Sequence, residues 1–132
     1  MKGTYTLLIR LREPLQIEVG SLGETSFEPG FYAYTGSALG PGGVESRVSR
    51  HREVSEGDSD TRHWHVDYLL GLDESSIEQV YTLGGDAECE VAGKVPGERI
   101  SGFGSTDCSC DSHLSCSGDR KLLSSALDYL YR

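Results

Sequence analysis

Alternating apolar and polar positions predict four strands along the chain. Residues 4–11 form the first, and Leu15–Val19, which is apolar on one face and polar on the other, forms the second. Because only the Glu13-Pro14 turn separates these strands, we expect them to pair as a hairpin. Residues 20–30, which hold three glycines and a proline, are predicted to be a loop. The remaining two strands are residues 31–35 and 77–83.

Helical spacing predicts four helices. The first, residues 44–54, follows a glycine-rich loop over residues 39–43. Residues 63–70 favour a short helix over a strand, because Trp64, Tyr68 and Leu69 fit one helical face. Asp86 is predicted to cap a helix over residues 87–92. Asp119 is predicted to cap the last helix, at residues 119–131, whose apolar stripe is Leu122, Leu123, Ala126, Leu127 and Leu130.

These elements predict a single α+β domain over residues 1–132, with a small, mainly antiparallel sheet flanked by helices. Neither an internal repeat nor a second domain is visible in the sequence. Residues 101–116 are rich in small polar residues, cysteine and histidine, and are predicted to be irregular.

The net charge of -9, from 21 acidic and 12 basic residues, argues by itself against a nucleic-acid partner. Only three of the basic residues are lysines, however, and the acidic residues cluster in loop-like stretches. This composition is typical of proteins in concentrated salt, where a Debye length of about 3 Å at 1 M leaves net charge little influence on a partner. We therefore expect a halophilic source; in a low-salt organism the acidity would count against polyanion binding.

The sequence contains no apolar run near the length that a membrane span needs. The N-terminus leads directly into the first strand, without the charged and apolar regions of a signal peptide. We expect a cytoplasmic protein.

Three side chains of one segment suggest a site. Tyr34 lies near the end of a strand that Gly36 terminates. Beyond the glycine loop, Arg47 and His51 stand four residues apart, on the same face of the predicted helix. The tyrosine, the arginine and the histidine are therefore expected to converge across the turn.

Several ordered motifs resemble the GIY-YIG nuclease superfamily, and more narrowly its Uri-type endonuclease branch. The two short motifs are Gly3-Thr4-Tyr5 and Tyr34-Thr35-Gly36, which Arg47 and His51 follow. The resemblance spans about residues 3 to 114. The two tyrosine motifs lie further apart than in most members, because residues 13–30 insert a strand and a loop. The further matching stretches are residues 34–38, 64–69, 88–89, 102–110 and 112–114.

The resemblance implies a core of three antiparallel strands, here with an extra hairpin strand, and hydrolysis of phosphodiester bonds with one divalent cation. Glu88 would bind this cation, Mg²⁺ or Mn²⁺, although Glu90 is an alternative ligand two residues away. We prefer Glu88, because Val91 and Ala92 follow it at helical packing distance. The implied catalytic residues are Tyr5, Tyr34, Arg47, His51 and Glu88.

The residue types suit this chemistry. The planar, permanently charged guanidinium of Arg47 fits a phosphate. A tyrosine can deprotonate water only beside a metal or a cation, because its ordinary pKa is about 10. Histidine is a common general acid or base, so His51 could share the proton transfer. Judged singly, each residue also has an ordinary structural role, and we interpret His65 and Asp67 as structural support.

The four cysteines include a Cys108-Ser109-Cys110 segment followed by His113. With Cys89 or Cys116 as the fourth ligand, these side chains could hold a structural Zn²⁺. The alternative is that they are buried thiols that tie an irregular loop to the core. In a cytosolic protein, both interpretations are more common than disulfides.

The sequence thus predicts a metal-dependent endonuclease acting on DNA, with RNA as an alternative substrate and with branched or damaged DNA as candidate structures. The competing hypothesis is a non-catalytic nucleic-acid-binding or structural module that keeps the same fold. Composition does not separate the two.

Overall fold

A computed structural model describes residues 2–57, 65–100, 103 and 112–131 of the chain. The strands in this part are β1 (Gly3–Leu11), β2 (Leu15–Val19), β3 (Gly23–Phe27), β4 (Gly30–Ala38), β5 (Ser75–Gly84), β6 (Glu98–Arg99) and β7 (Leu114–Ser117). The α-helices are α1 (Gly43–Ser55), α2 (His65–Leu70), α3 (Glu88–Lys94) and α4 (Arg120–Leu130), and a short 3-10 helix covers Gly20–Leu22. The α+β class predicted from the sequence is confirmed.

The central element is an antiparallel sheet in the order β5-β1-β4-β7-β6. Strand β1 pairs with β4 along one edge and with β5 along the other. Eight of its nine residues are buried, and Arg10 is the exception. This burial follows from helices on both faces, since side chains of alternate residues point to opposite sides of a sheet.

Two apolar cores lie on opposite faces of this sheet. One contains Tyr5, Leu7 and Tyr34 from the strands, packed with residues of α1 and α2. The other contains Leu8 and Ala33, packed with residues of α3 and α4. Among the described residues, none of the helices has both the length and the apolar character that are needed to cross a membrane.

The predicted hairpin of the first two strands is wrong. Strand β2 instead pairs with β3, in a separate two-stranded sheet. The physical reason is that both edges of β1 are already occupied by β4 and β5, so β1 has no hydrogen-bonding edge left for β2. Residues 20–30, predicted as loop, hold the 3-10 helix, β3 and the start of β4.

Other boundaries also differ from the sequence prediction. Strand β4 does not end at Gly36 but continues to Ala38, because residues 36–38 pair with residues 3–5 of β1. Asp86 does not cap α3: Ala87 is the N-cap residue, and no side chain caps the helix there. Asp119 does cap α4, as predicted, by accepting a hydrogen bond from the backbone N–H of Lys121. Residues 114–116, predicted as irregular, belong to β7, which pairs with β4.

A buried hydrogen-bond network ties the end of the chain to the sheet. The hydroxyl of Thr6 on β1 lies 2.9 Å from that of Thr35 on β4 and 2.6 Å from that of Tyr131. Burial raises the pKa of Tyr131 to about 12, so its hydroxyl stays protonated at neutral pH. The C-terminal helix is therefore anchored to the two strands that carry Tyr5 and Tyr34.

We expect Tyr131→Phe to lower the free energy of unfolding by about 1 kcal/mol, because the ring stays packed while one buried hydrogen bond is lost. Urea denaturation followed by circular dichroism measures the change. Tyr129→Phe is the matched control, since Tyr129 is 66 % exposed, and its effect should be smaller. An equal loss in both variants would contradict the anchoring role.

Candidate active site

The register of β1 and β4 places two tyrosines on one face of the sheet. Tyr34 lies opposite Leu7, two residues along β1 from Tyr5, so that both side chains point into the same core. Their ring centroids are 6.4 Å apart, and the two rings are tilted against each other. Both are almost completely buried, with 0 % of Tyr5 and 3 % of Tyr34 exposed.

Gly36 provides the space in which Tyr5 lies. It is the direct cross-strand partner of Tyr5, and a Cβ atom at this position would lie 2.6 Å from the tyrosine hydroxyl oxygen. A ring with no exposed surface cannot move aside easily. Glycine at the end of the second short motif is therefore a steric requirement for the position of Tyr5.

Helix α1 brings the histidine to this pair. Gly42 and Gly43, which precede and begin the helix, have φ values of +86° and +64°, a conformation that glycine adopts at no steric cost. The resulting turn sends α1 back across the sheet. His51 becomes fully buried, and its Nε2 lies 2.7 Å from the hydroxyl of Tyr5.

Asp67, on α2, stands on the other side of the imidazole. Its Oδ1 lies 3.4 Å from Nδ1 of His51, and both side chains are buried. Tyr5, His51 and Asp67 therefore form a continuous polar row inside the core. The sequence predicted a structural role for Asp67, and its proximity to His51 was not foreseen because α1 and α2 are separate elements.

Arg47 is at the centre of the charged groups. Its Nη1 donates a hydrogen bond of 3.0 Å to the carbonyl oxygen of Ser37. Its positive charge lowers the pKa values of Tyr5, Tyr34 and Glu88, so it is within electrostatic range of all three. A cavity of about 200 Å³ opens beside it, lined by Ala38, Gly40, Pro41, Gly43, Ser46, Arg47 and Arg50.

Burial dominates the acidity of the tyrosines. It raises the pKa of Tyr5 and that of Tyr34 well above the ordinary value, and Arg47 offsets only part of this effect. The negative charges of Glu88 and Asp67 raise both values further. A free tyrosinate is therefore unfavourable here, and a proton can leave Tyr5 only as another arrives.

Glu88 reaches the cluster from the start of α3. Burial raises its pKa, as does the negative charge of Asp86, while hydrogen bonds from Ser37 and the charge of Arg47 act in the opposite direction. Glu90 lies elsewhere: it is 68 % exposed and forms an ion pair of 3.1 Å with Lys94. Of the two glutamates that the sequence left open, the geometry favours Glu88.

His113 adds a possible metal ligand beside Glu88. Its Nδ1 lies 3.6 Å from Oε2 of Glu88, and its Nε2 lies 3.7 Å from Sγ of Cys89. One ligand atom from each of these three residues lies within 4.8 Å of the others. A carboxylate and an imidazole suit Mn²⁺ or Zn²⁺, so the donor set is compatible with a divalent cation.

The predicted zinc ligands are only partly described. Cys89 and His113 do come together, while Cys108 and Cys110 lie outside the described residues. Cys89 is disulfide-bonded and Cys116 is free. The disulfide differs from the sequence expectation of a metal ligand or a buried thiol, and only a reduced Cys89 could bind zinc as a thiolate.

A family model described as domain of unknown function DUF123 matches residues 4–132. The chain belongs to this family. No curated protein and no solved structure matches the chain. All the residues of the cluster lie within the matched range, so the site is part of the DUF123 domain.

The DUF123 fold thus gathers the five predicted catalytic residues from β1, β4, α1 and α3. Asp67, Ser37 and Arg50 also lie at the cluster or its cavity, and none of them was among the residues predicted to be catalytic. Arg50 could have been found from its spacing, since it follows Arg47 by three helical positions. Ser37 and Asp67 lie in the stretches 34–38 and 64–69 that carry the family resemblance, and Asp67 was interpreted as structural support, but nothing in the sequence indicated their contacts with Glu88 and His51.

We expect Gly36→Ala to displace Tyr5 from His51 and to destabilise the DUF123 domain by about 1–3 kcal/mol, the usual cost of overpacking a core. Chemical denaturation measures the loss. Gly40→Ala is the control, because a Cβ at Gly40 meets nothing within 4 Å, and it should change stability by less than about 1 kcal/mol. Equal stability of the two variants would show that Gly36 makes no room for Tyr5.

If Cys89 and His113 hold zinc, the protein purified under reducing conditions should contain close to one equivalent by mass spectrometry. His113→Asn should then lower the content, and Cys116→Ser should not, because Cys116 lies on β7 facing Glu98 of β6. Less than about half an equivalent in the unmodified protein would argue against a structural zinc site.

Proposed function

We propose that this DUF123 protein is a divalent-metal-dependent endonuclease that hydrolyses phosphodiester bonds in DNA. The observation that carries the proposal is the buried contact of 2.7 Å between the hydroxyl of Tyr5 and Nε2 of His51, beside Tyr34. The partly exposed Arg47, on the same helix as His51, is close enough for its charge to lower the pKa values of both tyrosines and of Glu88. Metal-dependent hydrolysis of a phosphodiester needs a fixed positive charge, an activated water and a ligand for the metal. The resemblance of the short motifs to the GIY-YIG nuclease superfamily supports the same conclusion.

Phosphate recognition would fall to the arginines. Arg47 and Arg50 line the same cavity, and Gly40 and Gly43 there leave room for a phosphate to approach the backbone. Arginine also binds phosphate in a bidentate manner, so it retains geometric specificity in concentrated salt, where long-range steering is screened. The net charge of -9 therefore does not oppose a short-range contact with DNA at high salt.

Activation of water would use Tyr5 and His51 together. Tyr5 has no exposed surface, and Arg47 lies close enough for its charge and hydrogen bonding to lower the pKa of the tyrosine hydroxyl. We therefore infer that a phosphate first draws Arg47 towards itself and uncovers this hydroxyl. Tyr5 then accepts a proton from the attacking water while its own proton passes to Nε2 of His51, which avoids a free tyrosinate.

Hydrolysis of the phosphodiester by this route needs no reactant other than water. The oxygen of water forms a bond to phosphorus, and the bond from phosphorus to the leaving oxygen breaks. The proton of water passes through Tyr5 to His51, and the leaving oxygen takes a proton from solvent. Arg47 stabilises the negative charge on the non-bridging oxygens during this displacement.

The metal would be held by Glu88, with His113 as a second ligand. When bound by these residues, a divalent cation would supply positive charge that stabilises the phosphate during hydrolysis. Because burial and Asp86 raise the pKa of Glu88, protons compete with the metal up to a higher pH than at an ordinary glutamate. Metal binding should therefore weaken as the pH falls.

In about 1 M salt with Mn²⁺ or Mg²⁺, we expect nicking of plasmid or branched DNA, and a loss of about 100-fold or more in Arg47→Ala and in Glu88→Gln. Arg47→Ala removes the positive charge next to the phosphate, and Glu88→Gln removes the negative charge that holds the metal. Gel-based cleavage assays give the rates for DNA and for RNA substrates.

Two control variants change residues on α1 and α3, the helices that carry Arg47 and Glu88. Arg52→Ala removes an exposed arginine of α1, and Glu90→Gln removes the exposed glutamate of α3, so both should cleave at the rate of the unmodified protein. Unchanged cleavage in both Arg47→Ala and Glu88→Gln would refute the site. Binding of DNA without any cleavage would favour the non-catalytic module.

A further inference from the structure

We infer that Asp67 is a positioning residue that fixes the tautomer of His51 and thereby makes its Nε2 the acceptor of the proton from Tyr5. The role of Asp67 in proton transfer rests on the proposed nuclease activity. The tautomer of His51 is independent of that activity, because it depends only on contacts inside the folded protein.

The two nitrogens of the His51 imidazole have different neighbours. A neutral histidine carries one proton, on Nδ1 or on Nε2, and the other nitrogen accepts. Nε2 lies 2.7 Å from the hydroxyl of Tyr5, and Nδ1 lies 3.4 Å from a carboxylate oxygen of Asp67. A carboxylate can only accept, so it favours the tautomer with the proton on Nδ1.

The tautomer of His51 sets the direction of its hydrogen bond with the hydroxyl of Tyr5. With Nδ1 protonated, Nε2 has a lone pair and the hydroxyl of Tyr5 donates to it. The lone pairs of the Tyr5 oxygen can then accept from a water once a phosphate has drawn Arg47 away. In the opposite tautomer, Nε2–H would donate to that oxygen, and Nε2 could not take up a proton. The direction of proton transfer therefore depends on the side of the ring that Asp67 occupies.

Burial of Tyr5, His51 and Asp67 strengthens the preference for the tautomer of His51 that is protonated on Nδ1. His51 is 0 % exposed and Asp67 is 1 % exposed, so water competes little with the contact between them. At 3.4 Å, Nδ1 and Oδ1 attract each other electrostatically without forming a hydrogen bond. Catalytic contacts of this kind often tighten only when substrate binds. The negative charge of Asp67 also raises the pKa values of Tyr5 and Tyr34, so both tyrosines lie within its electrostatic range.

The first test is the tautomer itself. Long-range ¹H–¹⁵N NMR of the unmodified protein, with His51 assigned by comparison with His51→Gln, should show an unprotonated Nε2 and a protonated Nδ1. In Asp67→Asn the amide can donate to Nδ1, and we expect the ring to change to the Nε2-protonated form. A protonated Nε2 in the unmodified protein would overturn the inference, and so would an unchanged tautomer in a folded Asp67→Asn.

The second test is the cleavage rate. Asp67→Asn should lose roughly 10²–10⁴-fold, as enzymes do when the carboxylate that orients a catalytic histidine becomes an amide. Asp73→Asn, which changes an exposed aspartate, should cleave normally. A changed tautomer with full cleavage would refute the role in proton transfer. Absence of cleavage in the unmodified protein would refute the nuclease proposal alone, because the NMR result would still decide the tautomer.

Discussion

The register between β1 and β4 is the constraint on which the candidate site depends. It places Tyr5 opposite Gly36, so that the ring of the tyrosine occupies the space that the glycine leaves open. A shift by one residue would send Tyr5 to the other face of the sheet, away from His51. The same register brings Thr6 opposite Thr35 on the reverse face, where Tyr131 joins them. One pairing thus fixes the site on one side and anchors the C-terminal helix on the other.

The cluster combines two environments with opposite properties. Tyr5, His51 and Asp67 lie in the core, where low polarity strengthens their mutual contacts and disfavours an isolated charge. Arg47 and Glu88 lie at the border of the core, where solvent, a metal or a phosphate can reach them. An arrangement of this kind permits concerted proton transfer inside and charge neutralisation outside, which is what hydrolysis of a phosphodiester requires.

The hairpin of β2 and β3 separates the two tyrosine motifs in the sequence but not in space. The two strands form their own sheet, and β4 then returns to the edge of β1. Their apolar residues, including Val19 and Phe27, pack onto the core of the site face. The hairpin therefore adds to that core and leaves β1 and β4 paired, which positions Tyr5 and Tyr34.

Local patterns in the sequence determined the elements and the residue types of the site. Alternation identified β1 and β4, helical spacing identified α1 and α4, and Asp119 marked the start of α4, because these features depend on neighbours within one or two turns. Strand pairing depends instead on which edges are free. Only the tertiary structure therefore decided that β1 is central, that β2 pairs with β3 and that Leu114–Ser117 is a strand. It likewise decided that Asp67 lies beside His51 and that Glu88 lies beside His113 while Glu90 pairs with Lys94 at the surface, because side-chain direction and contacts between distant elements follow from the fold.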